Sequence, residues 1–96
     1  MENGYRTGEV RVSSQQLAHH MRFRLRGKMG PPKAMGNKFV WWVTCYLNGS
    51  SIGSISITGA TSSPPFDEAT VWLQAKVADY LDLGSDIQFG GSFSWS

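Results

Sequence analysis

One cysteine, Cys45, is present among the 96 residues, which excludes an intramolecular disulfide and a metal site built from several cysteines. The chain also lacks any run approaching the ~20 apolar residues that a membrane helix needs, and it begins with no basic segment followed by an apolar one. These absences predict a cytoplasmic protein with no membrane partner. With 41% hydrophobic and 17% charged residues, the composition is that of a globular chain, and its length predicts one domain over residues 1–96.

The sequence also has little that suggests a catalytic centre or a metal site. The letters from Gly49 to Gly53 fit the G-x-S-x-G nucleophile pattern, but that pattern requires a strand-to-helix turn in a large α/β sheet, and this stretch is a predicted hairpin. His19 and His20 are adjacent, so their rings diverge and do not readily bind one metal ion. Cys45 has no charged neighbour that would favour a thiolate, so we expect a buried, inert thiol. We predict a non-enzymatic protein with no catalytic residues, no metal and no cofactor.

Charge is unevenly distributed along the chain. Residues 1–38 carry eight basic and two acidic side chains, whereas residues 39–96 carry one lysine and five acidic side chains. The resulting charges, +6 and −4, add up to the net charge of +2. A fold that keeps these two parts separate has one basic and one acidic surface, whereas a fold that interleaves them neutralises both.

The segment around residues 21–26 alternates strictly between apolar and basic side chains. A helix would leave Arg24 beside the apolar stripe and turn Phe23 away from it, whereas a strand separates the two kinds of residue completely. We therefore predict a strand over about residues 20–27. Its outward side chains are Arg22, Arg24 and Arg26, and its inward ones are Met21, Phe23 and Leu25.

Before this strand, we predict a loose tail over residues 1–8, at most a short strand over residues 9–12, and a capped helical turn from Ser13. After it, the glycines and paired prolines of residues 28–37 predict a loop. Two β-rich runs then flank Asn48 and Gly49, which is typical of a hairpin. A three-residue loop of Leu47, Asn48 and Gly49 with a bulge is predicted, because it gathers the apolar residues on one face: Phe39, Trp41, Val43, Cys45, Ile55 and Ile57.

Residues 67–83 carry the pattern of an amphipathic helix. Asp67 is the predicted N-cap, Phe66 is expected to pack on Val71, and Gly84 suits the position after the last turn. Glu68 and Asp67 also complement the helix dipole, which explains these carboxylates without catalysis. The predicted buried face consists of Ala69, Trp72, Leu73, Val77, Tyr80 and Leu81.

The C-terminal stretch alternates again, with Ile87, Phe89, Phe93 and Trp95 expected to face inward. Together these segments predict an α+β fold: a mostly antiparallel sheet of about four strands, with the helix packed on its apolar face and the second face open. Whether the first residues cover that second face is not decided by the sequence, and neither is the order of the strands.

The open sheet face is the predicted binding surface, since Arg, Trp and Tyr are the residues most enriched at interface hot spots. We expect a docking protein whose partner is a larger protein or a protein–nucleic acid complex, with direct contact to nucleic acid as a further expectation. A purely solubilising role for the arginines is the alternative. The predicted partner-binding residues are Arg22, Arg24, Arg26, Lys28, Trp42 and Tyr46.

Two other functions fit the same sequence. One is binding of single-stranded nucleic acid by stacking on the aromatic side chains, although the aromatic signature of RNA-recognition sheets is absent. The other is a structural subunit that self-associates through the stretch from Phe89 to Ser96. In general profile the chain resembles small phage- or plasmid-encoded inhibitors such as anti-CRISPR proteins, a resemblance that involves no motif and assigns no residues.

Overall fold

The computed structural model describes residues 6–14, 21–82 and 87–96, with the side chains of 11–14, 21–22 and 87–92 left aside. These residues form an α+β fold, in which one helix packs against an antiparallel sheet. The elements are β1 (Arg6–Ser14), β2 (Met21–Met29), β3 (Lys33–Met35), β4 (Lys38–Leu47), β5 (Ser50–Gly59), α1 (Phe66–Leu81) and β6 (Ile87–Trp95). The described part of the chain contains no helix with the length and apolar character of a membrane span.

The sheet is ordered β5-β4-β2-β1-β6, and every neighbouring pair is antiparallel. Phe39 of β4 pairs with Gly59 on one side and with Ala34 of β3 on the other, so β3 lies on the same side of β4 as β2. β3 therefore extends the ladder where β2 has ended. The sequence predicted about four strands, and the additional ones are β1 and β3.

Helix α1 covers one face of this sheet and closes the core. The helix presents Ala69, Leu73 and Val77, which are fully buried and recur every four residues along a single helix face. The strands contribute the alternate residues that point toward it, as the period-two pattern requires. These buried strand residues are Val10, Leu25, Met29, Trp41, Val43, Cys45, Leu47 and Ile57.

The β4–β5 hairpin has the predicted apolar face but not the predicted loop. Leu47 pairs with Ser50, so the loop is a two-residue turn of Asn48 and Gly49, both at positive φ, rather than a three-residue loop. A register shift follows between Cys45 and Tyr46, with Ile52 as the extra residue. A two-residue turn without a bulge would pair odd with even positions and place serines on the core face. The extra residue shifts the register by one and restores odd-to-odd pairing.

Several predictions for the chain before β4 are wrong. Residues 6–8 of the predicted tail belong to β1, which is a nine-residue strand paired on both sides. Ser13 and Ser14 belong to that strand instead of starting a helical turn, while the rest of the predicted turn, with His19 and His20, lies outside the described residues. The predicted loop over residues 28–37 contains the end of β2 and all of β3.

The helix is confirmed, with different ends. It begins at Phe66 after Pro65, without the predicted side-chain cap from Asp67, and it ends at Leu81, followed by the C-cap Asp82, which is left-handed at φ 55°. Gly84, the predicted end, lies outside the described residues. Two further side-chain predictions are wrong, because Tyr80 is 60% exposed and Val71 is 66% exposed.

The Phe66 ring stacks on Trp95 instead, with the ring centroids 5.4 Å apart, and this contact ties the start of α1 to β6. Trp95 and Phe93 pack against the core as predicted, whereas the side chains of Ile87 and Phe89 are not among those described.

Candidate interaction surface

The sheet face opposite α1 carries the basic residues of β2 beside the aromatic residues of β4. Leu25 and Met29 point into the core, so strand alternation directs Arg24, Arg26 and Lys28 to the other side. The ladder between the two strands places Arg26 opposite Tyr46 and Lys28 opposite Thr44. We call this surface the basic face, and its described members on β1, β2 and β4 are Glu9, Arg24, Arg26, Lys28, Trp42, Thr44 and Tyr46.

Arg26 and Tyr46 form a preformed pair at the centre of the basic face. The guanidinium carbon of Arg26 lies 4.9 Å from the centroid of the Tyr46 ring, within the range of a cation–π contact. Tyr46 is half-buried and Arg26 is exposed. The guanidinium therefore lies against the ring while Arg26 as a whole stays exposed to solvent.

Arg24 is positioned by different neighbours. Its Nε lies 3.1 Å from Oε2 of Glu9, and its backbone N–H donates to Oδ1 of Asn48 at 2.9 Å. The Asn48 N–H donates in turn to the Arg24 carbonyl oxygen at 2.9 Å. Arg24 is thus connected both to β1 and to the hairpin turn. Glu9 was not among the predicted site residues, since nothing in the sequence indicates which strand lies next to β2.

Trp42 is 58% exposed and borders a groove of about 410 Å³. The backbone explains the opening: the Gly30 N–H donates to the Trp42 carbonyl oxygen at 3.0 Å, so a residue without a side chain lies beside the indole. Gly30 and Pro31 were assigned to a loop from the sequence, and their place at a groove depends on tertiary pairing. The groove is lined by Lys28, Gly30, Pro31, Trp42, Thr44 and Tyr46.

The basic face continues onto β3 and the start of β4. Lys33 pairs with Val40, and Met35 pairs with Lys38, and residues that are directly opposite share a face. Val40 and Trp42 are two residues apart on β4, so all of these lie on the same side of the sheet. Met35, 54% exposed, adds an apolar side chain beside the two lysines.

Five of the six predicted partner-binding residues thus lie together on one face. The sixth, Arg22, belongs to β2 and pairs with Ser13, and its side chain is not among those described. Across β1 the same face reaches a second, smaller depression of about 180 Å³ beside Arg26 and Glu9. Its other lining residues are Thr7, Gly8, Ser94 and Ser96.

Most of the described charges of the two parts of the sequence lie on opposite sides of the sheet; Arg6, opposite Met29, is an exception on the α1 side. The exposed carboxylates Asp67, Glu68, Asp79 and Asp82 belong to α1 or its last turn, which packs on the other face of the sheet. On the basic face, the described acidic side chain is Glu9, against five basic ones: Arg24, Arg26, Lys28, Lys33 and Lys38. A partner that approaches the basic face therefore meets an excess of described positive charge.

The described residues do not bring together a group of three or more histidine, cysteine, aspartate or glutamate side chains that would hold a metal ion. Cys45 is fully buried, and burial raises the pKa of its thiol to about 11, against an opposing effect of Lys76. A thiol with this pKa stays protonated near neutral pH and is a poor nucleophile or metal ligand.

Comparison of the chain with protein-family models, with curated proteins and with solved structures finds no match. The basic face must therefore be interpreted from its own chemistry.

Proposed function

We propose that this protein is a non-enzymatic binding protein that docks its basic face on an acidic surface of a larger protein. The observation that supports this most directly is the Arg26–Tyr46 pair, 4.9 Å apart, beside the 58% exposed Trp42. Arg, Tyr and Trp are the residue types that dominate interface hot spots. The pair is already arranged before binding, so little side-chain freedom is lost when a carboxylate meets the guanidinium.

The size of the sheet suits such an interface. Five adjoining strands about 4.8 Å apart and roughly 30 Å long provide on the order of 700 Å². A standard protein interface buries about 800 Å² per partner. The nearby loops and the relief of the Trp42 and Lys28 side chains bring the available area close to that value.

A protein partner fits this face better than a single strand of nucleic acid does. Stacking of successive bases needs uncovered rings, and one side of the Tyr46 ring is covered by Arg26. Trp42 and Tyr46 are four residues apart on one strand, about 13 Å, which is too far for adjacent stacked bases. The Glu9 carboxylate, 3.1 Å from Arg24, also repels phosphate at this position.

Steric and electrostatic occlusion is the mode of action we infer. A small domain seated on a larger partner blocks whatever else uses that surface, a mode of action that suits a small phage- or plasmid-encoded inhibitor of the anti-CRISPR kind in the cytoplasm. If the partner is a complex that carries nucleic acid, Lys33 and Lys38 at the end of the face are suited to contact its phosphates.

The test compares two variants that change the charge equally and that each truncate one exposed apolar side chain to alanine. The face variant carries Arg26→Glu and Trp42→Ala, and the control carries Arg6→Glu and Val71→Ala, two exposed positions away from the basic face. The wild-type chain is used to isolate the partner from the native host, and the affinity for the purified partner is then measured by calorimetry. We expect the face variant to bind roughly a hundredfold more weakly or worse. The control should bind like wild type.

Equal affinity of the face variant and wild type would refute the proposal. Nucleic acid is tested separately, by a mobility shift with a single-stranded 30-mer of thymidine over a salt series. We expect no shift at low salt. A shift that the face variant abolishes, and that falls with salt at a log–log slope of about −0.7 per phosphate, would replace the protein partner with nucleic acid.

A further inference from the structure

Strand β5 forms one outer edge of the sheet. In the part of the chain that the structure describes, β5 pairs with β4 alone. The strand runs for ten residues, Ser50–Gly59, without a charged residue or a proline. Outer strands of soluble proteins usually carry such residues, because unpaired backbone groups are a template for a further strand.

The geometry identifies which backbone groups face outward. The Trp42 carbonyl accepts its hydrogen bond from Gly30, so the backbone groups of Trp42 point toward β2 and away from β5. Ser56 is directly opposite Trp42, and opposite residues in an antiparallel ladder either both exchange hydrogen bonds or both turn away. The N–H and C=O of Ser56 therefore point outward.

The same alternation applies two residues away in each direction. Ser54 and Thr58, opposite Thr44 and Val40, also direct their backbone groups outward, and their side chains are exposed. After the bulge at Ile52 the ladder runs from Gly53 to Gly59 without interruption. β5 thus presents a regular row of donors and acceptors. The other outer strand, β6, has a register shift in its ladder to β1, which interrupts its edge.

We propose that this edge pairs, antiparallel, with the β5 edge of a second copy of the chain, which is a step beyond the proposed docking function and does not depend on it. Centred on Ser56, the pairing sets Ser56 against itself and Ser54 against Thr58. β5 carries no charged residue, so two copies of β5 do not repel each other when they pair. A charged strand of another protein would gain no ion pair from β5, which favours a second copy of the chain as the partner.

Apolar side chains also match in this arrangement. A two-fold axis perpendicular to the sheet keeps the core faces on one side, so Ile55 of each copy meets Ile57 of the other. Ile55 is only partly buried in the single chain. The Lys76 side chain of α1 lies over Gly53 of β5. Trp72, one helical turn earlier in α1, is at the same edge and is partly buried. Pairing therefore removes apolar surface from water in addition to satisfying the backbone.

One consequence concerns the basic face. Because the axis is perpendicular to the sheet, the basic faces of both copies lie on the same side of one continuous sheet. The contact is one strand wide and therefore small, so we expect a dimer that dissociates on dilution.

Sedimentation equilibrium of the full chain tests the proposal. From about 1 to 500 µM, wild type should shift from the mass of one chain to that of two, as expected for micromolar affinity. Ser56→Lys places like charges opposite each other at the axis and should keep the mass of one chain throughout. Ser94→Lys, an exposed serine on the same sheet face but on β6, is the matched control and should dimerise like wild type.

Ser56→Pro removes the outward N–H without removing a hydrogen bond to β4, so this variant should also keep the mass of one chain at every concentration. If circular dichroism shows that Ser56→Pro does not fold, the result for Ser56→Lys still tests the dimer. Amide exchange of Ser54, Ser56 and Thr58 in wild type should slow as the concentration rises. A wild type that keeps the mass of one chain at 500 µM, a dimerising Ser56→Lys variant, or concentration-independent exchange at these amides would overturn the proposal. Loss of the dimer in Ser94→Lys alone would place the contact on β6 and would overturn it as well.

Discussion

Gly27 lies under Leu73 of α1, between Arg26 and Lys28 in the sequence of β2. It is buried, and a Cβ at this position would lie 2.5 Å from Cδ1 of Leu73 and 2.8 Å from Cη2 of Trp95. Both distances are well below van der Waals contact. Gly27→Ala therefore forces the helix or β6 to move.

The neighbours of Gly27 have little room to adjust. Leu73 is fully buried, and Trp95 donates a hydrogen bond from Nε1 to Oγ1 of Thr70 at 2.8 Å and stacks on Phe66. Overpacking in such sites costs about 1–3 kcal/mol, and alanine recovers about 0.4–1 kcal/mol by restricting the unfolded chain. We expect a net loss of about 1–2 kcal/mol. In a domain of this length that lowers Tm by roughly 4–16 °C.

Thermal and urea unfolding, followed by circular dichroism, measure this loss. Gly59→Ala is the matched control, since the nearest atom to its added Cβ is the Thr61 carbonyl oxygen at 3.9 Å, and it should be neutral or slightly stabilising. Combining Gly27→Ala with Leu73→Ala should cost less than the sum of the two single changes, because the new methyl partly fills the cavity. If Gly27→Ala is as stable as Gly59→Ala, then α1 does not rest on this residue.

Two further changes test other contacts. The pKa of the Cys45 thiol is about 11 in the folded protein, above its ordinary value of 9.0, so the unfolded chain ionises first. The free energy of unfolding should then fall as pH rises from about 9 to 11, and this part of the decline should be absent in Cys45→Ala; an equal decline in both proteins would contradict it. Trp95→Phe removes the hydrogen bond to Thr70, and urea unfolding should show a loss of about 1 kcal/mol or more. Thr70→Val removes the same bond and also the one to the Phe66 carbonyl oxygen, so the double variant should lose less than the sum of the two single losses; strictly additive losses would show that the Trp95–Thr70 bond contributes nothing.

Strand alternation was the most informative property of the sequence. The side chains of a strand alternate between its two faces regardless of its neighbours, so Arg24 and Arg26 could be separated from Leu25 before any partner strand was known. The helix was predictable for the same reason, since its three- and four-residue spacing is local. Tyr80 was the exception: it is 60% exposed, whereas the next residue, Leu81, packs against the core.

Pairing between distant segments explains the elements that the sequence missed. Lys33–Met35 follows two prolines and has no strand pattern of its own, yet it forms β3 because β4 has a free edge beyond the end of β2. β1 is longer than predicted because it is hydrogen-bonded on both sides. In the hairpin, Asn48 and Gly49 form the two-residue turn that their local preferences favour. The bulge at Ile52 then shifts the register by one residue, so the apolar residues of the two strands still share one face.

The amino-acid sequence by itself determined which side chains leave the core: the period of a strand and the period of a helix are properties of neighbouring residues. Only the tertiary structure decided which of those side chains meet. Arg26 lies over Tyr46, Glu9 lies beside Arg24, and Trp42 borders a groove because β1, β2 and β4 pair in one register. Register and strand order depend on contacts between residues far apart in the chain, and the local period of a strand or helix does not specify those contacts.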